Sequence, residues 1–363
     1  MSEPTWNDKP GGRPLLPIDP ERFRHQLEMA AFGLLLVVLV IYLLREFAVI
    51  FQPLFVAIFL LYAIVPVHRW LVAHRVPSRL AYIVILGLVM AILFGVGRLV
   101  YDSVEQLRAS WDERYEPKLD TLLLDVQRSV APHVEPRRLR DLFAVHSFEQ
   151  VLAPMRTIIG TFLGLFAALA VVGLYLVFLV AEKLTFPARL DRAFGKEHAD
   201  HVRAVVARIH EAVTRYLAVK AFINLLTALV AMVILYAFQV PFVPMWGLLT
   251  FLLSFIPYLG GVVAAVAPLM VCLLEYSDQL WVVFVVAWLL IASQQYLGNF
   301  LEPRMMGRRL DVSPLLILLS LSFWGMIWGP VGMILAVPLL VVTKIILDSI
   351  KETKPIATLI SNQ

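Results

Sequence analysis

Gln294–Lys344 reads QQYLGNFLEPRMMGRRLDVSPLLILLSLSFWGMIWGPVGMILAVPLLVVTK, and its reading decides the fold. A hydrophobic helix ends in polar side chains, a basic loop follows, and a long apolar run is then broken at Gly329-Pro330. Hydrocarbon tolerates polar residues and broken helices only where they face protein or a water-filled cavity. Their coincidence marks a candidate solute path.

Composition agrees. Hydrophobic residues make up 60% of the chain and charged ones 16%, with a mean hydropathy of +0.80, whereas soluble domains carry about 45–50% apolar residues. The chain therefore reads as an integral membrane protein whose first partner is the lipid bilayer. Several uncharged stretches run to about 20 residues, long enough at about 1.5 Å per residue to cross about 30 Å of hydrocarbon. They do not alternate as barrel strands would, so the expected class is an all-α polytopic membrane protein. The net charge of +4 comes from basic residues in short loops. No basic stripe interleaves with aromatics, so no nucleic-acid partner is expected. The single cysteine, Cys272, excludes an intramolecular disulfide framework and a cysteine metal cluster.

Residues 1–28 mix Pro, Gly and both charge signs, lack the pattern of a cleaved signal peptide, and read as a disordered cytoplasmic tail. Three scaffold helices are expected within 29–101, at Met29–Leu44, Phe47–Val67 and Leu80–Tyr101. Arg69, Arg75 and Arg79 lie between the second and third without an acidic residue, which places that loop, and with it the N-terminus, in the cytoplasm. Residues 102–154 then form a polar insert with seven Lys/Arg against ten Asp/Glu. Val104, Leu107, Trp111 and Tyr115, then Leu119, Leu122, Val126 and Val130, recur at helical steps, so the insert reads as an extracytoplasmic cap of amphipathic helices or as an outer gate. Residues 155–217 hold a fourth membrane helix, Thr157–Ala181, and an amphipathic cytoplasmic helix that runs directly into a fifth, Ala218–Gln239. Units 218–275 and 276–349 follow, and 350–363 is a cytoplasmic tail.

Loop charge decides the topology of those two units. Trp246–Glu275 is apolar but interrupted by Pro257-Tyr258-Leu259-Gly260-Gly261. A single crossing would put the loop around Asp278 inside and the loop with Arg304, Arg308 and Arg309 outside, against the positive-inside rule. A hairpin that enters from outside, turns at the break and returns puts both loops on their expected sides. Its first limb spans only about 17 Å, half a membrane. Pro314–Ile346, broken at Trp328-Gly329-Pro330-Val331-Gly332, reads as a second hairpin, entering from the cytoplasm. The expected architecture is thus six full transmembrane helices plus two re-entrant hairpins in an inverted repeat.

Polar residues narrow the path. Gln295, Asn299 and Glu302 are spaced four and three apart, with Gln294 and Tyr296 beside them, and Lys220, Asn224 and Thr227 show the same spacing on the fifth helix. The two triplets can face one another and offer amide, hydroxyl and charged groups to a polar solute or to a proton or sodium ion. Equally, Lys220 and Glu302 can be interfacial charges, with Glu302 paired to Arg304 or Arg308 and the amides bonding neighbouring helices. Ser254 and Tyr258 in the first hairpin and Ser320 and Ser322 in the second are weaker candidates, since a membrane Ser commonly bonds its own backbone.

The run Asn299, Leu301, Glu302, Pro303, Arg304, Met306, Gly307, the Ser313-Pro314-Leu315 start, and the tail from Trp328-Gly329 to Gly332-Met333-Leu335-Ala336-Val337-Pro338 resemble a signature of the autoinducer-2 exporter family of PerM-like permeases. Phe255-Ile256-Pro257-Tyr258-Leu259-Gly260 resembles its other signature, and the order of elements agrees from about residue 25 to 350. The resemblance implies a bacterial inner-membrane transporter, assembled as a homo-oligomer such as a pentamer. It implies export of the quorum signal autoinducer-2 or, as in other members, sodium/proton exchange. The candidate solute or ion path, read from the residues themselves, comprises the polar triplets with Gln294, Ser254, Pro257, Tyr258, Gly260, Gly261, Pro303, Arg304, Gly329, Pro330 and Gly332.

Enzyme readings fail on the residues. The eight His fall in tails, loops or amphipathic segments, and neither a HExxH zinc motif nor a phosphate-cradling GxxxxGK[ST] is present. No cofactor or metal is expected. The expected function is alternating-access transport of a small polar solute, with Glu302 as coupling carboxylate; a passive channel or a membrane scaffold is the rival class.

Overall fold

A computed structural model describes residues 20–115, 117–118, 121, 148–306 and 312–361. Most of the expected insert, the N-terminal tail to residue 19, Gly307 and the Arg308-Arg309 pair lie outside the described residues. Among the described residues the secondary structure is helical, without a strand. The helices are α1 (Pro20–Glu46), α2 (Ala48–Ala73), α3 (Ser78–Ser110) with a π turn at Trp111–Tyr115, α4 (Phe148–Ala237), α5 (Val243–Leu253), α6 (Leu259–Glu275), α7 (Leu280–Tyr296) with a π turn at Leu297–Leu301, α8 (Glu302–Met306), α9 (Pro314–Ser349) and α10 (Lys354–Ile360). The chain divides after Ala48 into two units, and α1 belongs to the first.

Four helices among the described residues are long and apolar enough to cross a membrane: Ala48–Ala73, His198–Ala237, Leu280–Met306 and Pro314–Ser349. Apolar stretches at Leu80–Val89 and Val171–Val180 are shorter. Side-chain placement along the second limb of α4 is inverted relative to a soluble protein. Phe222, Leu225, Leu229, Val233 and Tyr236 point outward, whereas Lys220, Asn224 and Thr227 are buried. An apolar outside with polar groups inside is what a hydrocarbon solvent selects.

Two of the long helices are not straight. α4 departs from helical geometry at Gly195 (φ 72, ψ 164), and Arg203 Nη2 lies 2.9 Å from Asp191 Oδ1 across that point. Twelve residues of straight helix would separate them by about 18 Å, so the chain turns back there. α9 breaks at Gly329 (φ 62, ψ −145), a conformation that only glycine adopts without strain. The Ser320 hydroxyl donates to the Ala336 carbonyl at 2.9 Å. Sixteen residues of straight helix span about 24 Å, so α9 is a hairpin although its length and composition alone read as one span.

α5 and α6 form the other hairpin, turning over residues 254–258. Glycine lets the limbs touch in both. A Cβ on Gly260 would sit 1.8 Å from the Leu253 carbonyl oxygen, and one on Gly332 would sit 2.0 Å from that of Trp324. At the base of the first hairpin the Tyr276 hydroxyl donates to the Phe238 carbonyl, so the chain enters and leaves beside the end of α4. The base of the second lies elsewhere. Val312 and Ile317 from its start and Val341 and Ile345 from its end pack around Tyr216 and Met306. Tyr216 and Phe238 are about 33 Å apart along the helix of α4, so the bases of the two hairpins lie at well-separated levels of its second limb. Their inner parts meet where Ile256 packs on Leu321 and Ala336.

Gly332→Ala is expected to cost about 3 kcal/mol, the upper end for overpacking, because backbone cannot move aside as a side chain can. A thermal melt in detergent reads this as a lower Tm. Gly173→Ala, with nothing within 4 Å of its added Cβ, should not lower it. Equal Tm values for the two variants would contradict the close approach of the limbs.

Candidate functional site

Between the hairpins runs a seam of polar side chains. Lys220, Asn224 and Thr227, spaced four and three residues apart, fall on one face of α4 and are 5%, 1% and 5% exposed. Lys220 Nζ donates to both carboxylate oxygens of Glu302, each at 2.9 Å. One turn on, Asn224 Nδ2 donates to the Phe251 carbonyl at 3.3 Å, near the C-terminus of α5 where helical carbonyls run out of partners. With its nitrogen so committed, the Asn224 Oδ1 atom is buried without a protein partner, and so is the Ser254 hydroxyl at the α5 cap. Thr227 bonds the Ile223 carbonyl of its own helix at 2.8 Å and lines a narrow pocket with Thr250, Ala264, Pro268, Ser293 and Gln294. The pocket has room for little more than a water molecule.

α7 and α8 supply the facing wall. Gln294 packs its amide against Gly261, where a Cβ would lie 2.7 Å from the side chain. The π turn at Leu297–Leu301 inserts extra chain into the helix, which shifts the helical register beyond it. Glu302 therefore turns inward to Lys220, whereas Gln295 and Asn299 bond to each other on an exposed surface. The three do not share the one face that their spacing predicts. Pro303 and Arg304 are exposed, and the Arg304 guanidinium stacks 3.6 Å from the centroid of the Phe300 ring, not on Glu302.

At the hairpin breaks, Gly260 and Gly332 are buried close approaches. Pro257 and Tyr258 form the first turn, with Tyr258 at φ 62, a strained value for a non-glycine residue. Gly329 and Pro330 form the second. There Gln52 of α2 donates to the Trp328 carbonyl at 3.4 Å, and Phe55 packs on the Trp328 ring with centroids 5.3 Å apart. The sequence offered no signal for Gln52 beyond an amide in an apolar helix. Ser322 bonds its own helix at Leu318, but Ser320 bonds across the hairpin. Among the described residues no group of three or more His, Cys, Asp and Glu is placed to hold a metal ion.

Residues 32–352 match the family model described as AI-2E family transporter. The chain is 30% identical over 330 residues to the AI-2 transport protein TqsA of Escherichia coli, covering 88% of this chain and 91% of that protein. It is 28% identical over 330 residues to a candidate transport protein of Borreliella burgdorferi, covering 91% and 89%. It is also 29% identical over 315 residues to the candidate transport protein YhhT of Escherichia coli, covering 86% and 88%.

Lys220→Met leaves the Glu302 carboxylate in the seam without its cation. Breaking a buried pair on one side costs about 3–5 kcal/mol, whereas replacing both partners with apolar groups is close to neutral. The single variant should therefore melt well below the Lys220→Met/Glu302→Met double variant in detergent. Equal losses in the two would show that the charges are not coupled.

Proposed function

Because this chain belongs to the AI-2E transporter family, we propose that it carries a small polar solute by alternating access along the seam where its two hairpins meet. A transporter role, in a multi-pass bacterial membrane protein that is not an enzyme, comes with the family. The finer reading rests on one observation: a buried line of polar groups, Lys220 with Glu302, Asn224 and Thr227, runs between two hairpins whose bases lie about 33 Å apart along the second limb of α4.

In this reading α5–α6 and α9 are re-entrant. The six full crossings are α1, α2, α3, the two limbs of α4, and α7. The 11 residues of α5 reach about 16 Å, half the hydrocarbon thickness. Loop charge orients both termini to the cytoplasm of the inner membrane. Lipid, or a second copy in a homo-oligomer, covers outward side chains such as Phe222, Val233 and Phe284.

The solute is an autoinducer-2-like signal, by likeness to TqsA. Its hydroxyls would donate hydrogen bonds to the Asn224 Oδ1 atom and pair with the Ser254 hydroxyl, which have no protein partner. Glu302 is the coupling carboxylate. A proton or a sodium ion that neutralises it releases Lys220 and loosens the contact of α4 with α8. The same step without a solute would be sodium/proton exchange, which the Lys220–Glu302 pair supports equally.

Glu302→Gln keeps a hydrogen-bond acceptor for Lys220 but removes the charge. It should melt below the wild type, since Lys220 loses its counter-charge, but still reconstitute, and in proteoliposomes loaded with the candidate signal it should lose most of the proton- or sodium-dependent counterflow. Undiminished flux with the same ion dependence would remove Glu302 from the path. Unitary currents without saturation would favour a channel.

A further inference from the structure

Two carboxylates bracket α7. Glu275 is the last residue of α6, and Glu302 opens α8 directly after the π turn. Leu280–Met306 forms one helical rod, so at about 1.5 Å per residue Leu280, five residues after Glu275, and Glu302 lie about 33 Å apart, close to the thickness of the hydrocarbon layer. Each carboxylate is largely buried, with side-chain exposures of 15% and 16%. Each is held by cations from a different part of the chain. Glu302 takes Lys220 of α4. Glu275 takes Arg114, and Lys118 lies 3.5 Å away, both just beyond α3. Lys118 also donates to the Glu275 main-chain carbonyl at 3.4 Å.

The positions match the hairpin mouths. Glu275 adjoins Tyr276, which closes the base of the first hairpin on Phe238. Between Arg114 and Lys118, Tyr115 is 1% exposed and packs into the core made by α4, α5, α6 and α7. Met306, one turn beyond Glu302, packs with Tyr216 at the base of the second hairpin. In the seam, one turn from Lys220, Asn224 is 1% exposed.

We propose that Arg114, Lys118 and Glu275 form an ion-pair gate at the end of the seam opposite Lys220–Glu302, and that the two gates open in turn. The purpose of the gates rests on the transport reading above; their existence does not. A pair of this kind suits a switch. It holds when water is excluded and is worth little once both groups are hydrated, so opening is sharp and reversible. Arg114, Lys118 and Glu275 are positioning residues here, since the solute passes them without being bound by them.

Cys272 is a built-in reporter. It is the single cysteine of the chain, is buried, and lies one turn before Glu275 on α6. Arg114→Gln/Lys118→Gln alters the more exposed partners, so the fold should survive. In sealed vesicles of the full-length protein, a charged membrane-impermeant maleimide should then modify Cys272 about tenfold faster or more. Lys220→Met should leave Cys272 protected. In a Cys272→Ser background it should instead speed labelling of a Thr227→Cys reporter from the other side. Arg114→Glu/Lys118→Gln/Glu275→Arg, which restores one pair with reversed charge, should restore the protection of Cys272. The proposal is overturned if Cys272 stays protected without Arg114 and Lys118, or if either gate variant exposes both reporters alike. Labelling needs no solute, so its failure leaves the transport reading standing. Gated labelling without counterflow would remove that reading alone.

Discussion

A helix that stops inside a packed, water-free interior leaves its last carbonyls without partners. That constraint shapes the centre of this protein. Each broken hairpin is met by a side-chain amide from a helix that continues past it. Asn224 of α4 donates to Phe251 at the end of α5, and Gln52 of α2 donates to Trp328 at the break of α9. Ser320 adds a bond between the α9 limbs, to Ala336. Helical segments that run past the hairpin turns complete the turns' hydrogen bonding.

Finishing those bonds puts polar groups where a solute could use them. An amide that gives its nitrogen to a carbonyl turns its oxygen elsewhere, and the Asn224 Oδ1 atom has no protein partner. The Lys220–Glu302 pair one turn away supplies charge without net charge, the cheapest way to keep ionised groups in a low dielectric. Strain at Tyr258 and the glycine break at Gly329 lie at the same hairpin turns.

Much of this was legible in the sequence. Pro257 to Gly261 and Trp328 to Gly332 announced two breaks, and the spacing of Lys220, Asn224 and Thr227 put them on one helix face, as found. The helical periodicity did not foresee the π turn at Leu297–Leu301, because an inserted residue leaves no mark on composition. That turn takes Glu302 inward, off the exposed face that Gln295 and Asn299 share. Partners distant in sequence were equally hidden. Gln52 and Trp328 are 276 residues apart, and Arg114 and Glu275 are 161 apart. Nothing local in either segment specifies the other. The pairing arises only once the hairpins have fixed which ends of the helices coincide.

The account depends most on α5–α6 returning to the side it entered from. Single cysteines at Gln239, before the hairpin, and at Asp278, after it, both exposed, can be placed in a Cys272→Ser background and treated with an impermeant thiol reagent on intact cells. Labelling of both from the same side is the predicted result. Labelling from opposite sides would make α5–α6 a single crossing and contradict the inverted arrangement of the two hairpins.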